Sequence, residues 1–280
     1  MKIRRGIIAA VLGCIVVASC IKRPPTALAP AEVMRRAVFQ NQILDSVSFD
    51  MTALFRANRL PGTLSGSVSA TGVFHSTERT WSADVRFDVS NLAPNAKERR
   101  SSGTFALSAP SPGSLFVLPR SIDSSFQVGG AEKALLGQWW RLTGGTGSLQ
   151  APSVSTPDPH VVEMYARILN VTGGGLEREL GGRYVYHYRV KIGSGELLNL
   201  VGVPSGGVPD VAGDVWINPD SFVLERARWT IRRLPFEDGM IDSDLDIHLR
   251  DFNVAPSATL PEGSGALFPL DTILDIISVR

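Results

Sequence analysis

The stretch DGMIDSDLDIHLRD, residues 238–251, collects Asp238, Asp242, Asp244, Asp246 and His248, donors of the kind that hold a divalent cation. It lacks the glycine and the terminal glutamate that a calcium loop needs at fixed spacing. Asp242, Asp244, Asp246 and His248 instead recur every second residue, opposite Ile241, Leu245, Ile247 and Leu249, the pattern of a strand with one face in water. The expectation is a solvated strand face and no metal site. His187 lies between Tyr186 and Tyr188 and therefore points away from both, and His75 and His160 are isolated. A serine nucleophile would be sought on a G-x-S-x-G turn, and a phosphate cradle on a glycine loop ending in GK[ST]. GSG at 193–195 and GGTGS at 144–148 match neither. Carboxylate pairs for glycoside hydrolysis need not be adjacent in sequence, and nothing points to one. No catalytic residue and no cofactor is expected.

What chemistry remains is on cysteine. The chain has two, Cys14 and Cys20. Lys2, Arg4 and Arg5 give a basic start, and the apolar run from Gly6 to Ser19 follows. At about 1.5 Å per residue that run reaches about 21 Å, short of the ~30 Å hydrocarbon core. A basic start, a short apolar middle and small residues at its end describe an export signal. Val17-Ala18-Ser19-Cys20 looks like the bacterial lipobox, in which the cysteine is lipidated and becomes the mature N-terminus. Cys14 follows Val11-Leu12-Gly13, a looser fit with too short an apolar stretch after Arg5. The organisation expected is a signal peptide over 1–19, a lipidated cysteine with a Pro-rich tether over 20–30, and one domain over 31–280. With Cys20 acylated, the mature domain has no thiol for a disulfide, a metal site or a nucleophile.

A formal net charge of +1 and a pI near 7.8, without a basic stripe of interleaved aromatics, exclude a nucleic-acid protein. At 44% hydrophobic residues, the chain can bury a core.

The elements that position these residues are mostly strands. AEVMRRAVFQNQI after Pro30 has helical spacing at Val33 and Ala37 and predicts a helix of two to three turns. The period then becomes two. VSFDMTALF places Val47, Phe49, Met51, Ala53 and Phe55 on one face, and GSVSATGVF does the same for Val68, Ala70, Gly72 and Phe74. WSADVRFDV sets Trp81, Ala83, Val85, Phe87 and Val89 against Ser82, Asp84, Arg86 and Asp88. Further strands are expected at GTFALSA, SLFVL, GQWWRLT, RYVYHYRVKI, GDVWINPD, FVLERARWTIRRL and SDLDIHLRDF. A second helix is expected at DPHVVEMYARIL, with Asp158 as N-cap and Val161, Tyr165, Ile168 and Leu169 on one face, and a short third at GELLNLVGV. Phe87 and Tyr186 should face inward, and Asp84, Asp244 and His187 outward. A sheet this large must curl, close, or cover its apolar face, and two modest helices cover only part of it. Periodicity leaves open whether the interior is filled by its own side chains or keeps a cavity.

GRYVYHYRVKI, GDVWINPDSFVLERARWTI and LRDFNVAPSATLPEG, in this order and spacing, with GQWWRL midway, resemble the LolA/LolB-like superfamily, and within it the LppX/LprG-type envelope lipoproteins. In the hairpin Val215-Trp216-Ile217-Asn218-Pro219-Asp220, Asn218 stands where the family more often has Asp. The resemblance covers about residues 31–265. It implies a mainly β (α+β) fold: a strongly curved antiparallel half-barrel of about ten to eleven strands, with a few short helices covering the concave face. It also implies a non-catalytic, membrane-anchored lipoprotein of the cell envelope that binds acyl chains of a lipid or lipoprotein in that concavity. The anchor would lie at the outer surface of the cytoplasmic membrane, or in the periplasm or outer membrane. The candidate cavity lining is Phe49, Met51, Phe74, Trp81, Val85, Phe87, Tyr184, Tyr186, Tyr188, Trp229, Leu245 and Ile247. The competing class is a structural or assembly lipoprotein with a filled half-barrel that works through an envelope protein partner; a secreted hydrolase is the third.

Overall fold

The structure is a computed structural model that describes residues 27–59, 62–92, 98–111, 114–124, 135–142, 163, 168–179, 182–192, 209–236, 239–256 and 266–267. The signal, Cys20 and most of the tether fall outside the described residues. So do the third expected helix and most of the second.

Helix α1, Pro30–Gln42, opens with Pro at its first turn, where the missing N–H costs nothing, and has Glu32 at the positive end of its dipole. Val33, Met34 and Ala37 form its buried stripe. The twelve strands are β1 (Ser46–Arg59), β2 (Gly62–His75), β3 (Thr80–Leu92), β4 (Arg99–Ala109), β5 (Leu115–Ser124), β6 (Trp140–Leu142), β7 (Leu169–Arg178), β8 (Tyr184–Ile192), β9 (Asp210–Ile217), β10 (Leu224–Phe236), β11 (Gly239–Arg250) and β12 (Ala266–Leu267). They form one sheet in the order β12-β6-β5-β4-β3-β2-β1-β11-β10-β9-β8-β7, antiparallel except for the short β12–β6 pair. β12 and β7 are its two edges, so the sheet is a curved half-barrel and not a closed barrel.

About ten to eleven strands were expected, and the described residues form twelve. β7 is the unforeseen long one: LNVTGGGLER has three consecutive glycines and little β propensity, and it is held as a strand by pairing with β8. Leu169 opens that strand and does not lie on a helical face.

The long hairpins are joined by the pairing of β1 with β11, from Ser48 opposite Arg250 to Asn58 opposite Met240. After β11 the chain turns over the end of β1. Asn253 N–H donates to Ser46 O, Asp45 N–H donates to Asn253 Oδ1, and Ala255 N–H donates to Ser46 Oγ. His75 Nε2 meets Pro256 O at 2.7 Å. Asp251 and Asn253 take positive φ here, which short polar side chains tolerate best.

Candidate binding face

Strict alternation puts one row of each central strand on a common apolar face. Phe49, Met51, Ala53, Phe55 and Ala57 of β1 stand opposite Gly72, Ala70, Val68, Gly66 and Leu64 of β2. On the other side they meet Leu249, Ile247, Leu245, Ser243 and Ile241 of β11. The face continues through Trp81, Ala83, Val85, Phe87 and Val89 to β4.

Each flank of this face is packed. Under α1, Tyr186, Tyr188, Val190, Val215, Ile217 and Ala227 form a core with Val33, Met34 and Ala37. Leu28 N–H donates to Tyr186 Oη, and Ile43 is the C-cap just before β1, so α1 leaves the sheet at β8 and rejoins it at β1. Thirteen residues at about 1.5 Å each give about 20 Å, close to four strand spacings of about 4.8 Å. The other flank is a smaller core of Val117 and Leu135 with Phe105, Leu107, Ile122 and Trp140.

Between the two cores, no such cluster forms on this face among the described residues. On β11, β1, β2 and β3 its buried side chains are alanines, Ala57, Ala70 and Ala83. Phe49, Met51, Phe55, Phe74, Trp81 and Phe87 are only half-buried, as are Leu245 and Ile247. The row from Val47 to Ala57 extends for about 33 Å at about 3.3 Å per residue, and β11 to β4 span about 19 Å.

A recurrent pairing shapes the floor of this trough. Phe49 stands opposite Gly72, Phe55 opposite Gly66, Phe87 opposite Gly103 and Trp229 opposite Gly213. In each pair the ring lies over the glycine. A methyl group there would come within 2.7 Å of Phe49 Cζ, 3.0 Å of Phe55 Cζ, 2.7 Å of Phe87 Cε1 and 2.6 Å of Trp229 Cε3. A ring covering a strand glycine restores the packing the glycine lacks. Phe87 also stacks on Phe105, with centroids 5.4 Å apart.

Of the expected lining, Phe49, Met51, Phe74, Trp81, Val85, Phe87, Leu245 and Ile247 lie on this half-exposed face. Trp229 is half-buried at its border with the α1 core, and Tyr184 is half-buried at the start of β8. Tyr186 and Tyr188 share the face but are 1% exposed and sealed beneath α1, with rings stacked 6.0 Å apart. Burial, with Tyr186 beside it, pushes the Tyr188 phenol up to about 12. Phe55, Val68 and Leu249 belong to the same rows. They were visible in the alternation but not singled out.

The convex face carries the charge. Asp246 receives Arg226 at 2.6 Å and Arg228 at 3.0 Å, and the hydrogen bonds from Arg226 and then Arg228 hold its carboxyl down at about 2. Asp50 is lowered by Arg250, across the β1–β11 pair, and by Thr71. Asp84 and Asp244 are exposed. His187 is on this outer side as expected, but only half-exposed. Its ring stacks on Trp216 at 4.6 Å, with Nδ1 3.1 Å from Glu177 and Nε2 2.9 Å from Asp214. The Asp242, Asp244, Asp246 and His248 row points outward and is spent on arginine pairs and backbone bonds, with His248 beside Asp246. Among the described residues no three His, Cys, Asp or Glu side chains converge as a metal site would require.

No protein-family model matches the sequence, and no curated protein matches it significantly. Solved structures similar in fold include the Mycobacterium tuberculosis lipoprotein LppX, 11% identical with a TM-score of 0.39, covering 82% of this chain and 97% of that one. A β-barrel-like domain of unknown function from Brucella abortus is 7% identical with a TM-score of 0.28, covering 74% and 100%. A LolA-superfamily protein from Nitrosomonas europaea is 11% identical with a TM-score of 0.23, covering 84% and 96%.

Proposed function

We propose that this chain is an exported envelope lipoprotein, anchored through Cys20, that holds acyl chains of a lipid or lipoprotein on the trough between its two cores. One observation supports the reading: the central strands carry large apolar side chains left only partly buried along some 33 Å, while both flanks of the same face are closely packed. Such a face is fitted to long, flexible, featureless ligands, because it offers apolar area without directional partners. The rings of Phe49, Phe55 and Phe87 cover Gly72, Gly66 and Gly103 and keep that floor apolar. Binding is by equilibrium burial, with no covalent step. At about 0.8 kcal/mol per CH₂, a sixteen-carbon chain gains about 13 kcal/mol on leaving water, as it does in a bilayer, so it can exchange between the two.

The test is to purify the protein and analyse organic extracts by mass spectrometry, beside titration with a fluorescent fatty acid. Acyl lipid in the extract and saturable binding are expected. An empty extract together with no fatty-acid binding would overturn the carrier and leave the filled scaffold.

A further inference from the structure

At the end of the sheet where α1 meets it, three large apolar side chains face water. Phe39 is 42% exposed, Ile43 45% and Val254 75%. Phe39 and Ile43 are one helical turn apart, on the outer stripe of α1 that also carries Arg35 and Arg36. Val254 is held near them by the turn after β11: Asn253 accepts from Asp45, two residues beyond Ile43, and donates to Ser46. Two residues at positive φ and four backbone or side-chain bonds thus fix an exposed valine in place. Ordinary loops do not present an apolar side chain so rigidly.

The chain leaves for its N-terminus at this same end. Leu28 is pinned to Tyr186 Oη, where β8 begins. Seven residues lie between Cys20 and Leu28, a reach of at most about 29 Å. Two of them are Lys22 and Arg23, immediately beyond the anchor. At this end Glu32 pairs with Arg35 and Arg36, leaving one net positive charge on the stripe, and Asp251 pairs with Arg250, while the Asp45 carboxylate accepts from Thr77 Oγ1.

We infer that this end of the molecule, Phe39, Ile43 and Val254 with the basic stripe of α1, is a membrane-contact surface that rests in the interface of an anionic lipid bilayer. Apolar side chains flanked by arginines on one helix face are suited to the headgroup boundary, where burial and attraction to anionic lipid add. The proposal rests on the lipid-anchor reading. It adds an orientation, with the strand ends near Ser46, His75 and Thr80 toward the membrane and the opposite ends, near Leu92, away from it.

The test uses the purified lipoprotein reconstituted into phosphatidylcholine–phosphatidylglycerol vesicles. With Cys20 acylated and Cys14 removed with the signal, Phe39→Cys, Val254→Cys and Leu92→Cys each provide a single thiol for an environment-sensitive fluorophore. Blue-shifted emission quenched by spin-labelled lipid is expected at positions 39 and 254, and water-like emission at 92. Water-like emission at both 39 and 254 overturns the proposal. The mass of the N-terminal peptide separately reports whether Cys20 is acylated. If it is not, the same labels go on the chain beginning at Ile21, which retains every described residue, with vesicles added from outside. There a blue shift at 39 and 254 sustains the surface without the anchor, and its absence overturns the surface. In that unanchored chain, the triple change Phe39→Ser, Ile43→Ser, Val254→Ser lowers vesicle affinity by at least about tenfold.

Discussion

Replacing Phe87 by Glu, beside the same change at Tyr186, separates an open face from a filled one. Both side chains point to the apolar side of the sheet, but Tyr186 is 1% exposed beneath α1 while Phe87 is half-buried over Gly103. Phe87→Glu forfeits part of one aromatic burial, about 1–2 kcal/mol, and its stacking on Phe105, about 0.5–1.5 kcal/mol. The new carboxylate keeps water on one side, so no large desolvation is added. For a domain of this size the sum lowers Tm by about 5–10 °C. Tyr186→Glu removes a fully buried ring, about 3–5 kcal/mol, and seals an unpaired carboxyl in the core at several more. Together these approach the whole stability of about 5–15 kcal/mol, and the variant is expected not to fold. Thermal melting followed by circular dichroism, beside fluorescent fatty-acid titration, reads both consequences. Phe87→Glu should keep a cooperative melt and lose most binding. A Phe87→Glu protein as unfolded as Tyr186→Glu would refute the open trough.

Gly72→Ala is expected to cost about 1–3 kcal/mol or more, because its methyl would press on the Ser82 backbone oxygen and lie 2.7 Å from Phe49 Cζ and 2.8 Å from Ala83 Cβ. Gly175→Ala, which meets nothing within 4 Å, should leave the midpoint of denaturation nearly unchanged. Asp246, lowered to about 2 from an ordinary 3.8, contributes stability that is complete above about pH 4 and disappears as pH falls toward 2. Asp246→Asn should therefore be less stable than the parent at pH 7, by up to about 2 kcal/mol less screening, and equal to it near pH 2 in urea melts. Cys20→Ala should move the protein out of the membrane fraction or leave the precursor uncut; a variant still cut and still acylated would place the anchor elsewhere.

Inside and outside were legible in the sequence wherever alternation was strong. Trp81 to Val89 against Ser82 to Asp88, and Ile241 to Leu249 against Asp242 to His248, are divided between the two faces as read. Alternation speaks of direction and not of cover. Tyr186 and Phe87 therefore read alike, although α1 closes over one and not the other. β7 was not legible because its glycines gain their strand conformation from β8, a tertiary cause. The ring-over-glycine pairs escaped for the same reason. Phe49 and Gly72 are far apart in the chain, and only the register shows them to be one feature.

The seam between β1 and β11 also determines when the molecule can become whole. Its partners are about two hundred residues apart, as Phe49 with Leu249 shows, so this loop is the costliest in the sheet to close. It cannot begin to close until the chain is complete to about residue 240, nor finish until residue 250 of 280. Until then β1 to β5 wait as a run of hairpins with their apolar rows uncovered and β1 as an unpaired edge. A nascent chain in that state is at its most prone to associate with its own copies, and it gains from staying unfolded until the whole length has been delivered. The floor of the trough is thus completed only when β1 meets β11, and the rate of that single pairing governs how long the apolar rows stay open to aggregation.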